Sequence, residues 1–539
     1  MDGKDSESPG PRPRDKSLPG HDIFCTPENS SFLSKTPYKT LDPTRREIRL
    51  LKVLPDSGSG FVECELLPSA PIAELRGKYL ALSYCAGNPR NTEVILVNGV
   101  KCNVFANLCH AVTCARHFWT TEPRDGDFLL WADQICINQA DLSERSHQVG
   151  FMRSIYESAQ QTLICLSTSN TQGQGMKWFI DTFDQDGGQA LTRSRSKPTV
   201  NCKNSLIAFW EEVMESPWWT RAWVFQEFVV SAQATLLSGC HHLSWMRTQL
   251  ALKRYLGPES DDSMIYCLKS LFKTRNSTTH YAGDFDKAAD TVRSMLKIKA
   301  EWNDTADNLI FLLLRSRNFK ASDDRDRIYA VLGLAHPGYA ITPDYSASNT
   351  LCHVLVETTR KIILFENSIH VLTLLSGSRR HRLPGLPSWV VDWTSEEAPG
   401  HRSRSANCVD AISCTPGGGP AIASFRETMH PKTLQTTTVM EVTGTFIAEV
   451  CEDDEQPNKR STTRPRASNA YDVFPRRNAL ELWYLSGLKY MFYLQRKSYG
   501  YRIIRCKNLV IPGYTFPRLS SKDFNGRRGE VKPRAIPIF

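Results

Sequence analysis

The sequence predicts an α/β fold built on parallel strands, and three stretches carry that expectation. Phe128–Ala132 is a nearly unbroken apolar run closed by Asp133, as in a strand covered on both faces. Val149, Met152, Ile155, Tyr156 and Ala159 recur at helical spacing and form one apolar stripe. Thr162–Leu166 is a second apolar run. Strand, crossover helix and strand thus follow within about forty residues, which is the βαβ unit, and its two strands are expected to run parallel. Asp141 stands three residues before Glu144, the spacing of a capping box at the start of that helix.

The remaining elements follow in chain order. Residues 1 to 37 are rich in Pro, Ser, Gly and mixed charge, and a disordered tail is expected there. Ile48–Leu54 and Phe61–Leu67 read as strands joined by a Gly/Ser turn, and Tyr79–Tyr84 (YLALSY) as a third, closed by the loop Cys85-Ala86-Gly87-Asn88-Pro89. Glu93–Val97 and Val100–Val104 flank Asn98-Gly99, the strongest short hairpin signal. Asn107–Phe118 is expected to be helical, with Leu108, Val112 and Ala115 on one face. Residues 168–203 read as a polar loop with one short helix over Met176–Phe183. Ser216-Pro217 starts a helix with Pro at its first position, and Trp219, Trp223, Gln226 and Val230 share a face of it. Ala234–Leu237 reads as a strand. Further helices are expected over Asp286–Trp302, Asn308–Leu314, Asp323–Leu332 (stopped by Gly333) and Leu351–Phe365. Beyond Leu383 come a Pro/Trp segment, a Gly/Pro/Ser loop and one or two strands near Val439–Val450, and Asp453–Arg477 has the composition of a linker.

Bulk properties narrow the class. The 539 residues are 41% apolar and 23% charged, ordinary for a soluble globular protein. No apolar run approaches the ~18 residues that a membrane span requires, and the N-terminus lacks an apolar signal region, so an intracellular protein is expected. The 16 cysteines are scattered without a CxxC pair, which suggests reduced, buried thiols rather than a disulfide framework or zinc ribbon. The net charge of +9 is uneven: Gln456–Phe539 holds 18 Lys and Arg against 4 Asp and Glu, a net of +14, leaving −5 for the rest. A nucleic-acid-binding body is therefore not expected. The basic ending is read as a solvated segment, with contact to anionic lipid or RNA as the alternative.

Several segments together resemble the fungal heterokaryon-incompatibility (HET) domain family. They are Tyr38 with Ile48-Arg49-Leu50-Leu51, Tyr79–Tyr84 with Gly87, and Val97-Asn98-Gly99 leading to Asn107-Leu108. Most specific is LWADQICINQADLSERSHQV, Leu130 to Val149, followed by Met152, Ile155-Tyr156 and Ala159. Trp219–Trp223 with Gln226-Glu227, Asp324–Leu334, Pro343–Ser346 and Leu386–Val390 fit later motifs, so the resemblance runs over about residues 38–395. It departs from the family at Ala86, where a Trp is usual, at Ala132 and Gln134, and beyond Lys459. The resemblance implies a cytoplasmic effector of non-self recognition whose activation leads to regulated cell death. HET domains are similar in turn to TIR domains, flavodoxin-like parallel α/β modules that signal by self-association, some of which hydrolyse NAD⁺. The fold expected on that basis is a TIR/flavodoxin-like parallel sheet with flanking helices over residues 38–240. A mainly helical region over 241–395 and an irregular, basic C-terminal region over 396–539 complete the expected division.

Ligands of parallel α/β sheets sit at the carboxyl ends of the strands. That rule puts Ser83, Tyr84 and Gly87, Asp133 to Asn138, and the loop after Leu166 along one rim. Asp133 there binds a ribose hydroxyl or caps the turn into Ile135–Asn138. Glu144 completes the capping box, or serves as the carboxylate that stabilises the cation formed when nicotinamide leaves ribose. Arg145 pairs with a phosphate or with a surface carboxylate. Glu227, next to Arg221 and Trp223, is an acid–base candidate, or half of a buried ion pair with Arg325 or Arg327; Asp326 poses the same choice. Adjacent side chains diverge on a strand, so Cys240-His241-His242 makes a poor metal site, and no histidine is placed to activate Cys136. Pro416–Pro420 lacks the helix and Lys of a phosphate loop. Three functions stay open: a self-associating effector whose partner is a second copy or another incompatibility protein, a NAD⁺ glycohydrolase with Glu144 or Glu227 as its carboxylate, and a divergent, non-catalytic binding protein.

Overall fold

The structure, a computed structural model, describes residues 27–35, 38–121, 125–169, 172–185, 200–256, 281–302, 307–375, 382–394, 422–429, 436–450, 480–485, 491–497, 500–507 and 534–539. The expected linker over 453–477, the Gly loop at 416–420 and Arg402-Ser403-Arg404 lie outside these residues. The chain divides into two compact units. The first takes residues up to Thr305 with Phe319–Gly333 and Pro343–Ser346; the second takes Ala306–Asn318, Leu334–Thr342 and Ala347–Phe539.

The first unit is α/β, with a nine-stranded mixed sheet flanked by helices. Its strands are β1 (Leu51–Val53), β2 (Glu63–Leu66), β3 (Leu80–Tyr84), β4 (Thr92–Val97), β5 (Val100–Phe105), β6 (Leu129–Trp131), β7 (Gln161–Cys165), β8 (Ala234–Ser238) and β9 (His241–Ser244). They lie in the order β9-β8-β7-β3-β6-β1-β2-β4-β5. The pairs β8–β7, β7–β3 and β3–β6 are parallel, and antiparallel partners flank this four-stranded core on both sides. The two strands of the expected βαβ unit, β6 and β7, are indeed parallel, with β3 between them. The all-parallel expectation is corrected: hairpins such as β4–β5, turned at Asn98-Gly99 with φ of +51° and +73°, supply antiparallel strands at the sheet's edges. All five residues of β3 and of β8 are buried, as strands covered on both faces require.

Three local expectations change. Segment 27–35 belongs to the fold: Asn29 exchanges two hydrogen bonds with the backbone of Asn103, at 2.9 and 2.7 Å, and Phe32 is fully buried with its ring edge-on to Tyr38. One short apolar anchor and one paired amide outweigh the polar composition around them. The crossover helix is two pieces, Leu142–Gly150 and Met152–Ser158, broken at Phe151. Past Ser216, whose hydroxyl caps as expected, a 3₁₀ turn at Pro217–Thr220 gives way to a π-helical turn at Phe225–Val229 instead of one continuous helix.

A domain boundary at residue 240 would cut a hairpin, since Ser238 pairs with His241 across β8 and β9. The helices of 241–395 are shared between the units: Asp326–Leu332 belongs to the first, Leu309–Ser316 and Leu351–Glu366 to the second. The second unit also carries a sheet where an irregular region is expected. Its strands are β10 (Ala423–Met429), β11 (Thr436–Val450), β12 (Leu480–Leu485), β13 (Met491–Lys497), β14 (Gly500–Lys507) and β15 (Arg534–Ile538). β11 to β15 pair in sequence, and β15 pairs back to β11, so the sheet closes on itself. The basic ending hides an alternating strand in β14, with Tyr501 and Ile503 buried and Arg502 exposed. Trp389, fully buried, donates its indole N–H to Thr438 O at 3.2 Å and packs on Phe425.

Replacing Phe32 with Ala should lower the unfolding free energy by about 3 kcal/mol, the loss expected for a buried aromatic, and expose 27–35 to proteolysis. Denaturant titration with limited proteolysis measures both; an unchanged midpoint would show that the segment contributes nothing to the fold.

Candidate functional site

The carboxyl ends of β3 and β6, neighbours in the parallel core, bring Ser83 and Asp133 to one edge of the sheet. The irregular chain before β8 lays Trp218, Arg221 and Glu227 over it. Arg221 grips Glu227 bidentately, Nη1 to Oε2 at 2.6 Å and Nη2 to Oε1 at 2.8 Å. Ser83 donates its hydroxyl to the same Oε2 at 2.5 Å and accepts the indole N–H of Trp218 at 2.7 Å. Glu227 is 1% exposed, and such a carboxylate stays charged in a protein interior only with partners of this kind.

Asp133 completes the group. Its carboxylate accepts the N–H of Gln134 at 2.7 Å and interacts with the Tyr84 hydroxyl. Burial, and then the charge of Glu227, raise its pKa above the usual carboxylate range, with Arg221 opposing. Burial pushes the Tyr84 phenol up as well, followed by the charge of Asp133. Glu227 is thus ion-paired with both oxygens engaged, whereas Asp133 is the carboxyl whose pKa is raised. Between them the edge groups an acid, a phenol and a neutralised ion pair.

Asn107 fastens the rim. Its amide donates to Cys85 O at 2.9 Å and accepts Ser169 N–H at 3.0 Å, tying the loop after β3 to the loop after β7. Gly87 turns beneath it with φ +81°, and a Cβ there would come within 2.5 Å of the Asn107 amide nitrogen. Neither clasp residue needs conserved chemistry to explain it: both set the loop path.

The other sequence candidates go elsewhere. Glu144 is not the capping-box partner. Asp141 does cap, accepting from Ser143 and Glu144 N–H, but its own N–H donates to Asn138 O. Glu144 instead holds Arg49 at 2.6 and 3.0 Å and accepts the Asn138 N–H at 2.7 Å, in a second cluster in which Arg49 also reaches Cys136 O and Lys39 O and lies over the Tyr38 ring. Asn138 therefore serves that clamp. Arg145 is buried, with its guanidinium 3.7 Å from the Tyr345 ring centroid rather than at a surface. Tyr345 donates to Asp326, which also receives the indole N–H of Trp223 at 3.2 Å. Burial pushes Asp326 up to about 6, against the charge of Arg145. The ion-pair reading of Glu227 holds with Arg221 as partner; Arg325 pairs with Asp323 and Arg327 with Asp324. Cys136 is buried and pushed up to about 12, as burial dictates, which does not suit a nucleophile.

Sequence reasoning named Asn107 only as a motif residue and did not single out Trp218 or the group His110, Cys114 and Cys165. For the last, the His-x₃-Cys spacing on a helix was the available signal. For Trp218 there was none, because an unbroken helix was assumed.

The fold and the edge together define an α/β protein with a buried carboxylate–arginine pair where parallel strands end. Residues 79–227 match the family described as Heterokaryon incompatibility protein (HET). Among curated proteins, the chain is 26% identical over 373 residues to Heterokaryon incompatibility protein 6, OR allele, of Neurospora crassa, covering 59% of this chain and 54% of that one. The chain thus spans about half the length of that relative. No solved structure matches it. Among the described residues, no helix is long and apolar enough to cross a membrane.

Two outcomes follow from the electrostatics. Arg221→Met should destabilise by about 3–5 kcal/mol, because Glu227 is left charged and buried, while Arg221→Met with Glu227→Met should recover most of the loss. Equal loss in both, by denaturant titration, would mean that packing rather than charge is at stake. For Asp326 the folded-state pKa is raised, so its contribution is present below its unfolded value of 3.8 and fades as pH climbs to about 6. The stability difference between wild type and Asp326→Asn should therefore change between about pH 4 and 6, by on the order of 2–3 kcal/mol, and stay level above.

Proposed function

We propose that this chain acts in heterokaryon incompatibility as a HET-domain effector whose self-association leads to regulated death of fused fungal cells. The supporting observation is a coincidence of limits: the family match opens at Tyr79, one residue before β3, and closes at Glu227. Its span thus holds Ser83, Asp133, Trp218, Arg221 and Glu227, so the unit that defines the family is also the unit that builds the polar edge. The relative's name supports the same biology. The effector is placed in the cytoplasm, and its partner is a second copy or another incompatibility protein.

A second reading is a NAD⁺ glycohydrolase. Counted in chain order, the parallel strands β3, β6, β7 and β8 lie as 2-1-3-4, which is the flavodoxin-like order as far as it goes, and TIR domains share that order. The Asp133–Glu227 pair lies at the carboxyl edge of this core, where such sheets bind nucleotides. In this reading Asp133 orients the ribose, and Glu227 stabilises the oxocarbenium ion as nicotinamide leaves. Ala86, in the place where the family usually has Trp, supports the third reading, a relative that binds partners without catalysis.

Regulated overexpression in a fungal host should arrest growth, and Glu227→Gln with Asp133→Asn should relieve the arrest at equal protein level. Wild-type growth at high expression would sink the effector reading. Purified full chain, tested for nicotinamide release from NAD⁺ before and after enforced oligomerisation, separates the readings: growth arrest without release leaves a binding effector, and release lost in both variants supports the hydrolase.

A further inference from the structure

A second polar cluster lies one strand away, and the carboxylate edge does not use it. His110 and Cys114 are four residues apart on the helix Ala106–Thr121, so they share a face. Cys165 ends β7, as the register partner of Tyr84. One ligand atom from each of the three lies within 4.8 Å of the other two. We infer that His110, Cys114 and Cys165 form a binding site for a thiophilic divalent ion, Zn²⁺ by its donor set, with the Ser167 hydroxyl beside the fourth position.

Geometry and donor chemistry agree. Tetrahedral zinc with Zn–S near 2.3 Å and Zn–N near 2.0 Å has an S–N edge of about 3.5 Å and an S–S edge of about 3.8 Å. Cys114 Sγ stands 3.5 Å from His110 Nε2. Ser167 Oγ is 2.8 Å from the same nitrogen and 3.7 Å from Cys165 Sγ, so the hydroxyl or a water it holds borders the remaining corner. Ser167 Oγ also accepts the N–H of Gly239. An imidazole nitrogen binds a metal through its unprotonated form, which Nε2 would take with the ring proton on Nδ1. Two sulfurs and one imidazole select zinc over the oxygen-seeking Mg²⁺ and Ca²⁺.

The electrostatics of the cluster differ from those of the other buried thiols. Burial pushes Cys64, Cys102, Cys109 and Cys136 up to about 12. Within the cluster the hydrogen bond from Cys165 draws Cys114 down, and the same bond, followed by burial, pushes Cys165 well up. Bound there, the ion would tie the helix to the end of β7, beside the loops that Asn107 joins.

The test uses the full chain purified without chelators. Elemental analysis should find about one zinc per chain in wild type and in Cys240→Ser, an exposed thiol outside the cluster, and less than a tenth of that in Cys114→Ser and Cys165→Ser. Titration of metal-free wild type with Co²⁺ should give thiolate-to-cobalt charge-transfer absorption and the visible bands of a tetrahedral site, a reading that does not depend on whether the variants fold. Stripping the zinc should lower the melting temperature, and added Zn²⁺ should restore it. The proposal is overturned if wild type takes up neither ion in stoichiometric amount, or if the two variants bind as much as wild type does.

Discussion

The bond between Arg221 and Glu227 is the constraint on which the site depends. It buries a charged carboxylate and satisfies it from the front with a guanidinium fork and from behind with the Ser83 hydroxyl. Because Ser83 is the fourth residue of β3, the pair fixes the chain before β8 onto the end of the central strand. Trp218 adds its indole N–H to Ser83, so the relay runs from indole to hydroxyl to carboxylate to guanidinium. No member can leave without stranding another polar group in the interior.

That constraint also accounts for the backbone around it. A regular helix from Pro217 would carry Arg221 and Glu227 away from each other, six residues and about 600° apart. The observed path spends four residues in a 3₁₀ turn, straightens at Arg221, and re-enters as a π turn at Phe225. Wide turns of this kind occur mostly where function needs a side chain re-aimed. The irregularity leaves carbonyls without helical partners, and Lys299 takes three of them, Phe228 O, Val229 O and Ser231 O. Burial draws the Lys299 pKa down to about 8, while the carbonyls stabilise its charged form.

What was legible in the sequence was whatever rests on local pattern. Phe128–Ala132, Tyr79–Tyr84 and Thr162–Leu166 are apolar runs with clear ends, and their strands stand where the pattern puts them within a residue or two. Asn98-Gly99 gave its hairpin for the same reason. Partner choice was not legible. Glu144 sits at the spacing of a capping box yet bonds Arg49, 95 positions away, and Glu227 finds Arg221 rather than Arg325. Nothing in a linear pattern distinguishes a six-residue partner from one a hundred residues off when both are arginines. In the C-terminal region β11 lies over the expected Val439–Val450, but the later strands were missed because a basic composition overrode the short alternation of Tyr501, Arg502 and Ile503.

Comparing the three carboxylates shows where chemistry can reside. Glu144 is neutralised by Arg49 and accepts a backbone N–H as well, and its side chain is 7% exposed. Glu227 is neutralised by Arg221, with both oxygens engaged. Each can hold structure, and each would have to break a bidentate pair before it could move a proton. Asp133 has no guanidinium of its own. It is less buried than Glu227, it feels the Glu227 charge as repulsion, and it stands where β6 ends and the rim begins. Of the three, Asp133 is the carboxyl without its own countercharge, and burial first, with the Glu227 charge second and Arg221 opposing, is what keeps its pKa raised.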